Sequence, residues 1–388
     1  MLEAYAARYR RDLTESVVPF WLKHSLDREY GGYFTCLGRD GSVYDTRKYV
    51  WLQGRAVWMF ARLYNQFERR PEFLDAARLG VDFLRRHARD AQGRVYFSLA
   101  REGQPLFFQR KPYAAVFYQM GLLEYSRATG DAGCLAEATE VFWRIVEWIA
   151  NPALLDRPAY AGQVPSSSLA NHLVLGLLAA DLAETTGDAR YRQVMRDTIA
   201  GALRHYDPAR RVFLEHVALD GRDLRAWPEG RLFNPGHSIE TAWILLHLLR
   251  DLPDPAARQI ALEAIEGSLE HGWDAEYGGI FYFMDIAGQP TLQLEATMKL
   301  WWPHAEAIYA LVLAYTLTGE TRWLKWLDRV DRYVYTHFAD SEHGEWFGYC
   351  DRRGDLALAS KGGNYKGFFH VPRALLFSIQ AIEGARQP

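Results

Sequence analysis

The sequence predicts an all-α fold, in which about twelve helices form a double-layered barrel with short β-hairpins at one end. Three observations predict it. A unit that ends a helix recurs along the chain, the segments between its copies carry apolar residues at helical spacing, and short Gly-containing turns precede runs of alternating aromatic and β-branched residues. The recurrence at intervals of roughly 60 residues indicates a repeat architecture.

The helix-ending unit reads Thr-Gly followed by Asp or Glu. It occurs in "YSRATGDAGCL" (125–135), "AETTGDARYR" (183–192) and "YTLTGETRWL" (315–324). A glycine directly after the last helical residue terminates a helix, because it adopts the left-handed backbone conformation without steric cost. Each copy therefore predicts the junction between two helices of a hairpin.

The turn-and-strand unit occurs five times and predicts short strands or hairpin arms. A sixth copy is missing near 150–162, where the Pro-rich "NPALLDRPAYAGQVP" predicts a loop. The five copies are "REYGGYFTCL" (28–37), "AQGRVYFSL" (91–99), "PARRVFLEHV" (208–217), "AEYGGIFYFMD" (275–285) and "EHGEWFGYCD" (342–351).

Helical periodicity is strongest over 71–88, 135–150 and 310–338. Two helices per repeat over about six repeats give about twelve helices. Such hairpins bury their apolar faces only against neighbours, and closure into a ring does this without separate capping units. The prediction is one domain over residues 1–388, because no shift in composition marks a boundary. An open helical array is the alternative.

Composition narrows the class of function. The chain has 388 residues, a formal net charge of −3 and three cysteines without metal-ligand spacing, which gives no indication of nucleic-acid or membrane-surface binding. The beginning of the chain lacks the apolar core of a secretion signal, and no apolar run reaches the length of a membrane span. The expected location is cytoplasmic. Without a dinucleotide, phosphate-loop or zinc motif, no cofactor and no metal are expected.

The segment "NPGHSIETAW" (234–243) contains the first candidate site. Asn234 is a good N-cap and Pro235 suits the first helical turn, so a helix is expected to begin here. His237 and Glu240 are three residues apart and therefore share a helix face. They are either a catalytic pair or a polar edge on a packed helix.

A second candidate lies in "KYVWLQGRAVWMFARLY" (48–64). Trp51, Arg55, Trp58 and Arg62 share one face of the predicted helix. A guanidinium between tryptophans inside a barrel needs an anion or a polar ligand. The alternative is an ion pair between helices, with the aromatic residues as packing.

The remaining candidates lie near the C-terminus. Trp302, His304 and Glu306 cluster before an apolar helix in "LEATMKLWWPHAEAIYALVLAY" (294–315), and His370 precedes a helix in "GGNYKGFFHVPRALL" (362–376). His237 and His370 both lie at predicted helix starts. The positive end of the helix dipole disfavours the imidazolium form there, so both are expected to be neutral and able to accept a proton.

Six segments together resemble the N-acylglucosamine 2-epimerase family over about residues 20–380. They are "KYVWLQGRAVWMFARLY", "RLFNPGHSIETAW", "GGIFYFMD", "QLEATMKLWWPHAEA", "EWFGYCDRRG" and "KGGNYKGFFHVPRALL". The resemblance implies an (α/α)6 barrel and cofactor-independent inversion or isomerisation at C2 of a free aldose. It also implies that His237 and His370 exchange the C2 proton on opposite faces, that Arg55 stabilises the enediolate, and that Glu240 fixes a tautomer or a sugar hydroxyl.

The branch of the family depends on two conflicting signals. Asn171-His172 resembles the cellobiose 2-epimerases, mannose 2-epimerases and mannose isomerases, which act on sugars with an unsubstituted 2-hydroxyl. Trp302-Pro303-His304 resembles the N-acylglucosamine branch. Because a side chain at the C2 substituent discriminates most directly, His172 is given more weight, and a mannose/glucose-type 2-epimerase is the expected function. Packing of His172 between helices is the alternative. The expected substrate contacts are Trp51, Asn171, His172, Trp302, His304 and Glu306.

Four other functions stay open on the sequence. They are N-acetylglucosamine/N-acetylmannosamine epimerisation, mannose–fructose isomerisation, glycoside hydrolysis by paired acids on the same barrel, and a non-catalytic role in binding another protein. The partner expected from the resemblance is a small sugar, and a homodimer is the assembly considered.

Overall fold

The computed structural model describes residues 2–158 and 160–385, and helices dominate it. Residue 159, inside the segment predicted as a loop, and residues 1 and 386–388 of the predicted domain lie outside the described part. The helices are α1 Leu2–Asp12, α2 Val18–His24, α3 Val50–Gln66, α4 Pro71–His87, α5 Tyr113–Thr129, α6 Ala132–Ala150, α7 Leu169–Thr186, α8 Ala189–Leu203, α9 Pro228–Arg231, α10 Pro235–Asp251, α11 Pro255–Gly272, α12 Trp301–Thr318, α13 Thr321–His337 and α14 His370–Gly384. None of these helices is long and apolar enough to cross a bilayer.

The helices form two concentric layers. The inner layer consists of α3, α5, α7, α10, α12 and α14, of which each packs against the next. The outer helices α4, α6, α8, α11 and α13 each pack on the inner helix that precedes them, and α1 packs on α14. This arrangement of six hairpins is the predicted (α/α)6 barrel, and it makes the first and last helices partners.

Contacts between the two ends of the chain close the ring. Arg10 of α1 forms an ion pair with Glu383 of α14 at 2.7 Å, and the Tyr9 hydroxyl donates to Asp331 of α13 at 3.0 Å. On the inner layer, Phe377 of α14 packs edge-on against Trp58 of α3, with ring centroids 6.2 Å apart. These contacts join α14 to α3 in the inner layer and α1 to α13 in the outer layer. The ring is closed, so the alternative of an open array is wrong.

Glycines end the inner helices as the repeats predict. Gly130, Gly187 and Gly319 have φ values of 74°, 71° and 71°, and each donates its N–H to a carbonyl of the helix it terminates. Asp131 and Asp188 then cap the next outer helix through their side chains. The periodic stretch 310–338 is for this reason divided between α12 and α13 at Gly319.

The short strands that were predicted form antiparallel sheets near the starts of the inner helices; in the described part of the chain, four sheets have two strands and two have three. Where the structure describes residues 151–162, a 3₁₀ turn, Pro152–Leu155, is the one helical element. The strands are β1 Cys36–Leu37, β2 Val43–Asp45, β3 Lys48–Tyr49, β4 Ser98–Leu99, β5 Pro105–Phe107, β6 Ser166–Ser168, β7 Tyr206–Asp207, β8 Val212–Phe213, β9 His216–Ala218, β10 Leu232–Phe233, β11 Met284–Asp285, β12 Lys299–Leu300, β13 Tyr349–Cys350 and β14 Leu356–Leu358.

Buried ion pairs connect the turn units to the inner helices. Asp27 accepts from Lys48, two residues before α3, at 2.9 Å, and Asp274 accepts from Lys299, two residues before α12, at 3.0 Å. Both lysine side chains are inaccessible to solvent. Each aspartate also accepts backbone N–H groups of its own turn. The hairpins thus fix where α3 and α12 begin, and these two helices carry site residues.

Candidate active site

Two adjoining cavities open between the N-terminal ends of the inner helices. Their volumes are about 490 Å³ and 220 Å³, and both are lined by Trp51, Arg55, His237 and Glu240. The larger cavity has mostly aromatic walls. Its other lining residues are Tyr282, Glu295, Met298, Leu300, Trp301, Trp302, Tyr349, Leu358, Tyr365 and His370. Aromatic faces with a few charged groups form a polar-ligand site of the kind that binds sugars.

His237 is held at the start of α10 by its own helix and by a strand. The side chain of Asn234 caps the helix by accepting the backbone N–H of His237 at 3.0 Å, as predicted. Glu215, in the loop between β8 and β9, accepts from His237 Nδ1 at 2.9 Å. The ring also lies against Trp302, with centroids 5.0 Å apart. Because Nδ1 is engaged, Nε2 is the nitrogen left for a ligand.

The charge of Glu215 decides the protonation of His237. Burial disfavours the imidazolium, but the Coulombic attraction and hydrogen bond of Glu215 outweigh it and raise the pKa of His237 above its usual value. The same pair lowers the pKa of the buried Glu215 carboxyl. This direction runs against the expected neutral form of His237, since a full carboxylate charge at 2.9 Å exceeds the partial charge of a helix end.

His370 lies at the start of α14 in the opposite electrostatic environment. Its Nδ1 donates to Glu306 Oε1 at 2.7 Å, which leaves Nε2 without a proton in the neutral ring. Burial, followed by the nearby charges of Arg373 and Arg55, holds the pKa of His370 well below its usual value. This direction favours the neutral imidazole that is expected at position 370. The two histidines of one cavity thus have pKa values that their surroundings move in opposite directions.

Arg55 brings an uncompensated cation to the junction of the two cavities. Its guanidinium carbon lies 3.9, 4.8 and 4.9 Å from the ring centroids of Phe117, Trp51 and Phe369. Its Nε is buried without a hydrogen-bond partner among the described residues. Burial lowers the pKa of Arg55 to about 9, which still leaves it charged at neutral pH. The alternative of an ion pair between helices fits Arg62, which binds Glu124 at 2.9 Å, but not Arg55.

Arg373 connects the two acids of the site. It donates to Glu240 at 2.8 Å and to Glu306 at 2.5 Å. These carboxylates and His370 lie close enough to hold a metal ion, but the guanidinium already engages both acids. Glu240 lines both cavities, whereas the tautomer of His237 is fixed by Glu215. Glu306, expected to contact substrate, instead accepts from His370, Arg373 and Trp243 and lines neither cavity.

The structure brings six of the ten predicted residues to the cavities and places four outside them, namely Glu306, His304, His172 and Asn171. His304 is fully buried outside the cavities, where Nδ1 donates to the Leu300 carbonyl at 2.6 Å and Nε2 accepts the N–H of Ile280 at 2.9 Å. Both nitrogens are used by backbone, so His304 fixes the start of α12 and does not contact a ligand. Trp302 and Trp51 line the large cavity as predicted.

His172 faces away from the cavities. Its Nε2 bonds to the Ser167 hydroxyl at 2.8 Å, its ring lies 5.5 Å edge-on from that of His205, and it packs on Gly201 of α8. These contacts are those of the packing alternative. Asn171 accepts from Tyr113 at 3.2 Å and lines neither cavity. The cavity face of α7 carries Ala170, Leu173, Val174 and Leu177, and residue 172 lies on the opposite side of the helix.

Three contributors are not among the predicted catalytic or substrate-contacting residues. Glu215 stands at the end of a segment recognised only as a strand, and no spacing relates it to His237. Arg373 follows His370 by three residues, and this i, i+3 relation was a signal that could have identified it. Trp301 lines the large cavity, and its indole N–H is a buried donor without a partner among the described residues.

The comparisons agree with this geometry. The family model for N-acylglucosamine 2-epimerase (GlcNAc 2-epimerase) matches residues 32–374. The N-acylglucosamine 2-epimerase of Bos taurus is 44% identical over 382 residues, which cover 96% of this chain and 90% of the bovine protein. The cellobiose 2-epimerase of Bacteroides fragilis is 25% identical over 401 residues, covering 96% of this chain and 97% of that protein.

Among solved structures, the cellobiose 2-epimerase from Bacillus thermoamylovorans B4167 superimposes with a TM-score of 0.85 at 22% identity, covering 97% of this chain and 99% of that one. At this identity the superposition establishes the (α/α)6 fold alone. The family match and the bovine relative establish more, because they span most or nearly all of the chain. The chain therefore belongs to the N-acylglucosamine 2-epimerase family and is a carbohydrate 2-epimerase.

Proposed function

We propose that the protein interconverts N-acylglucosamine and N-acylmannosamine by inverting C2 of the opened sugar. One observation carries the proposal of chemistry. His237 and His370 line one cavity, each bonded through Nδ1 to its own carboxylate, and their pKa values move apart. Pairs of groups whose surroundings separate their pKa values are how a site holds an acid and a base at the same pH.

The proposed reaction transfers one proton on each face of C2. The C1 carbonyl of the open sugar acidifies the C2–H bond. The neutral Nε2 of His370 takes the proton, and the electron pair forms an enediolate whose negative oxygen faces Arg55. Protonated His237 then returns a proton from Nε2 to the opposite face of C2. His370 ends protonated and His237 neutral, which is the starting state for the reverse reaction.

The choice of an N-acyl sugar depends on the relatives and on His172. The bovine relative is an N-acylglucosamine 2-epimerase at 44% identity, whereas the cellobiose 2-epimerase is 25% identical. His172 carried the expectation of an unsubstituted 2-hydroxyl, and it bonds Ser167 away from both cavities. Without that contact, the expected mannose/glucose-type activity has no side chain to support it.

Proton NMR in D2O tests the substrate and the mechanism together. N-acetylmannosamine is expected to convert to N-acetylglucosamine with deuterium at C2, while mannose turns over at least tenfold more slowly, because the site would leave groups that bind the acyl amide unpaired. The measurement is kcat/KM for each sugar from the anomeric signals. Turnover of mannose without turnover of N-acetylmannosamine would contradict the proposal and support a mannose/glucose-type 2-epimerase. Fructose as the product would indicate an isomerase.

The pH profile of Glu215→Gln tests the assignment of His237. In the active form His237 is protonated and His370 neutral, so kcat/KM falls as pH rises through the raised pKa of His237 and falls as pH drops through the lowered pKa of His370. Loss of the Glu215 charge is expected to lower the pKa of His237 and move the alkaline limb to lower pH. The acid limb serves as the internal control and stays in place. An unmoved alkaline limb would contradict the assignment.

A further inference from the structure

The smaller of the two cavities has mostly apolar walls, and the proposed proton transfer does not require them. Its volume is about 220 Å³. Helices α5, α7 and α10 line it below the four residues that it shares with the larger cavity, Trp51, Arg55, His237 and Glu240. The side chains that these helices contribute are nearly all aliphatic or aromatic. They are Tyr113, Val116, Phe117, Met120, Ala170, Leu173, Val174, Leu177, Leu178 and Ile244, with Phe369 and Arg373 at the side of α14.

The polyol end of a sugar is a poor occupant of this cavity. The Tyr113 hydroxyl already donates to Asn171 at 3.2 Å, and Arg373 already donates to Glu240 and Glu306. Arg55 is the one lining cation without a protein acceptor among the described residues, and it lies at the junction with the large cavity. Sugar hydroxyls placed deeper would lose their hydrogen bonds to water without replacement, which is costly.

The smaller cavity lies beside the place where C2 of the substrate is expected to react. His237 lines both cavities, and in the proposed reaction its Nε2 must approach C2 to within hydrogen-bonding reach. A substituent on C2 therefore starts beside the shared residues. The one apolar part of an N-acylhexosamine is the hydrocarbon of that substituent.

We propose that the smaller cavity, here named the acyl pocket, receives the N-acyl chain and accepts chains longer than acetyl; this rests on the proposed function. A methyl group needs little more space than a water molecule, whose share of liquid volume is about 30 Å³. An acetyl group therefore leaves most of the 220 Å³ unfilled. The substrate class is N-acylmannosamines and N-acylglucosamines with acyl chains of up to several carbons.

A chain-length series on the unmodified protein tests the proposal. The substrates are N-acetyl-, N-propanoyl-, N-butanoyl- and N-hexanoylmannosamine, with kcat/KM measured by NMR. Each added methylene that enters the pocket is expected to raise kcat/KM by about fourfold until the pocket is full. A steady fall from acetyl onward would overturn the proposal. That result leaves the proposed function intact, whereas failure to convert N-acetylmannosamine itself would overturn the proposed function.

Substitutions on α7 test whether the acyl chain binds in the acyl pocket. Val174→Phe fills the pocket and is expected to reverse the preference, so that the ratio of kcat/KM for N-butanoyl- to N-acetylmannosamine falls at least tenfold. Leu175→Phe is the matched control, because Leu175 neighbours it on α7 and does not line the pocket; it is expected to keep the ratio of the unmodified protein. Leu177→Phe is a second filling variant should Val174→Phe lower the melting temperature strongly. An unchanged ratio in a folded filling variant would overturn the proposal.

Discussion

His237→Asn and His370→Asn are each expected to lower kcat by about two to four orders of magnitude, the usual contribution of a positioned acid or base. Inversion of C2 needs one proton transfer on each face, and the large cavity offers one histidine for each. The measurement is the rate of N-acetylmannosamine epimerisation at the pH optimum, with the melting temperature as the control for folding. Near-normal turnover in either folded variant would contradict the two-base assignment.

Solvent exchange in these variants gives a sharper result than loss of rate. If the proton leaves one epimer toward His370 and the other toward His237, each variant retains one functional base. In D2O, each is therefore expected to exchange the C2 proton of one epimer without inverting it, and the two variants act on opposite epimers. Exchange of the same epimer by both variants would mean that the histidines do not face opposite sides of C2.

Helix periodicity and glycine placement predicted the layers of the barrel, because both are local properties of the chain. Gly130, Gly187 and Gly319 end helices through their own backbone conformation, and Asn234 caps α10 within three residues of itself. Closure of the ring was predicted from the repeat count alone. The contacts that achieve it join residues far apart in the chain, such as Arg10 and Glu383, which are 373 positions apart, and no local pattern specifies them.

The site was predicted where family motifs carried it and missed where contacts between elements decide the chemistry. His237 and His370 lie in recognisable motifs, yet their opposite pKa shifts come from Glu215 at His237 and from burial, followed by Arg373, at His370. Glu215 is 22 residues before His237, on a different element. The expectation at His172 came from a resemblance alone. Helix α7 is apolar on nearly all sides, so its sequence does not show which face lines a cavity, and the packing of the helices decides it.

Arg55 differs from the arginines at positions 62 and 373 because it has no carboxylate partner among the described residues. Arg62, two turns later on α3, binds Glu124 at 2.9 Å, and Arg373 binds two carboxylates. Arg55 has aromatic rings around it and no ion pair among the described residues, and the fall of its pKa to about 9 indicates that the folded protein disfavours its charge. A fold that keeps such a group without an internal partner holds it for an anion that arrives or develops during the reaction.

Arg55→Met is therefore expected to lower activity without lowering stability. Loss of the cation facing the enediolate should lower kcat by about two to three orders of magnitude, while the melting temperature stays equal to that of the unmodified protein or rises, because a disfavoured buried charge is removed. Arg62→Lys is the matched control on the same helix. It weakens an ion pair and an aromatic contact with Trp58, so its melting temperature should fall while kcat is retained. Arg55→Lys keeps the charge but loses the planar fork and should stay well below normal turnover. A destabilised Arg55→Met together with a fully active Arg55→Lys would show that Arg55 is structural.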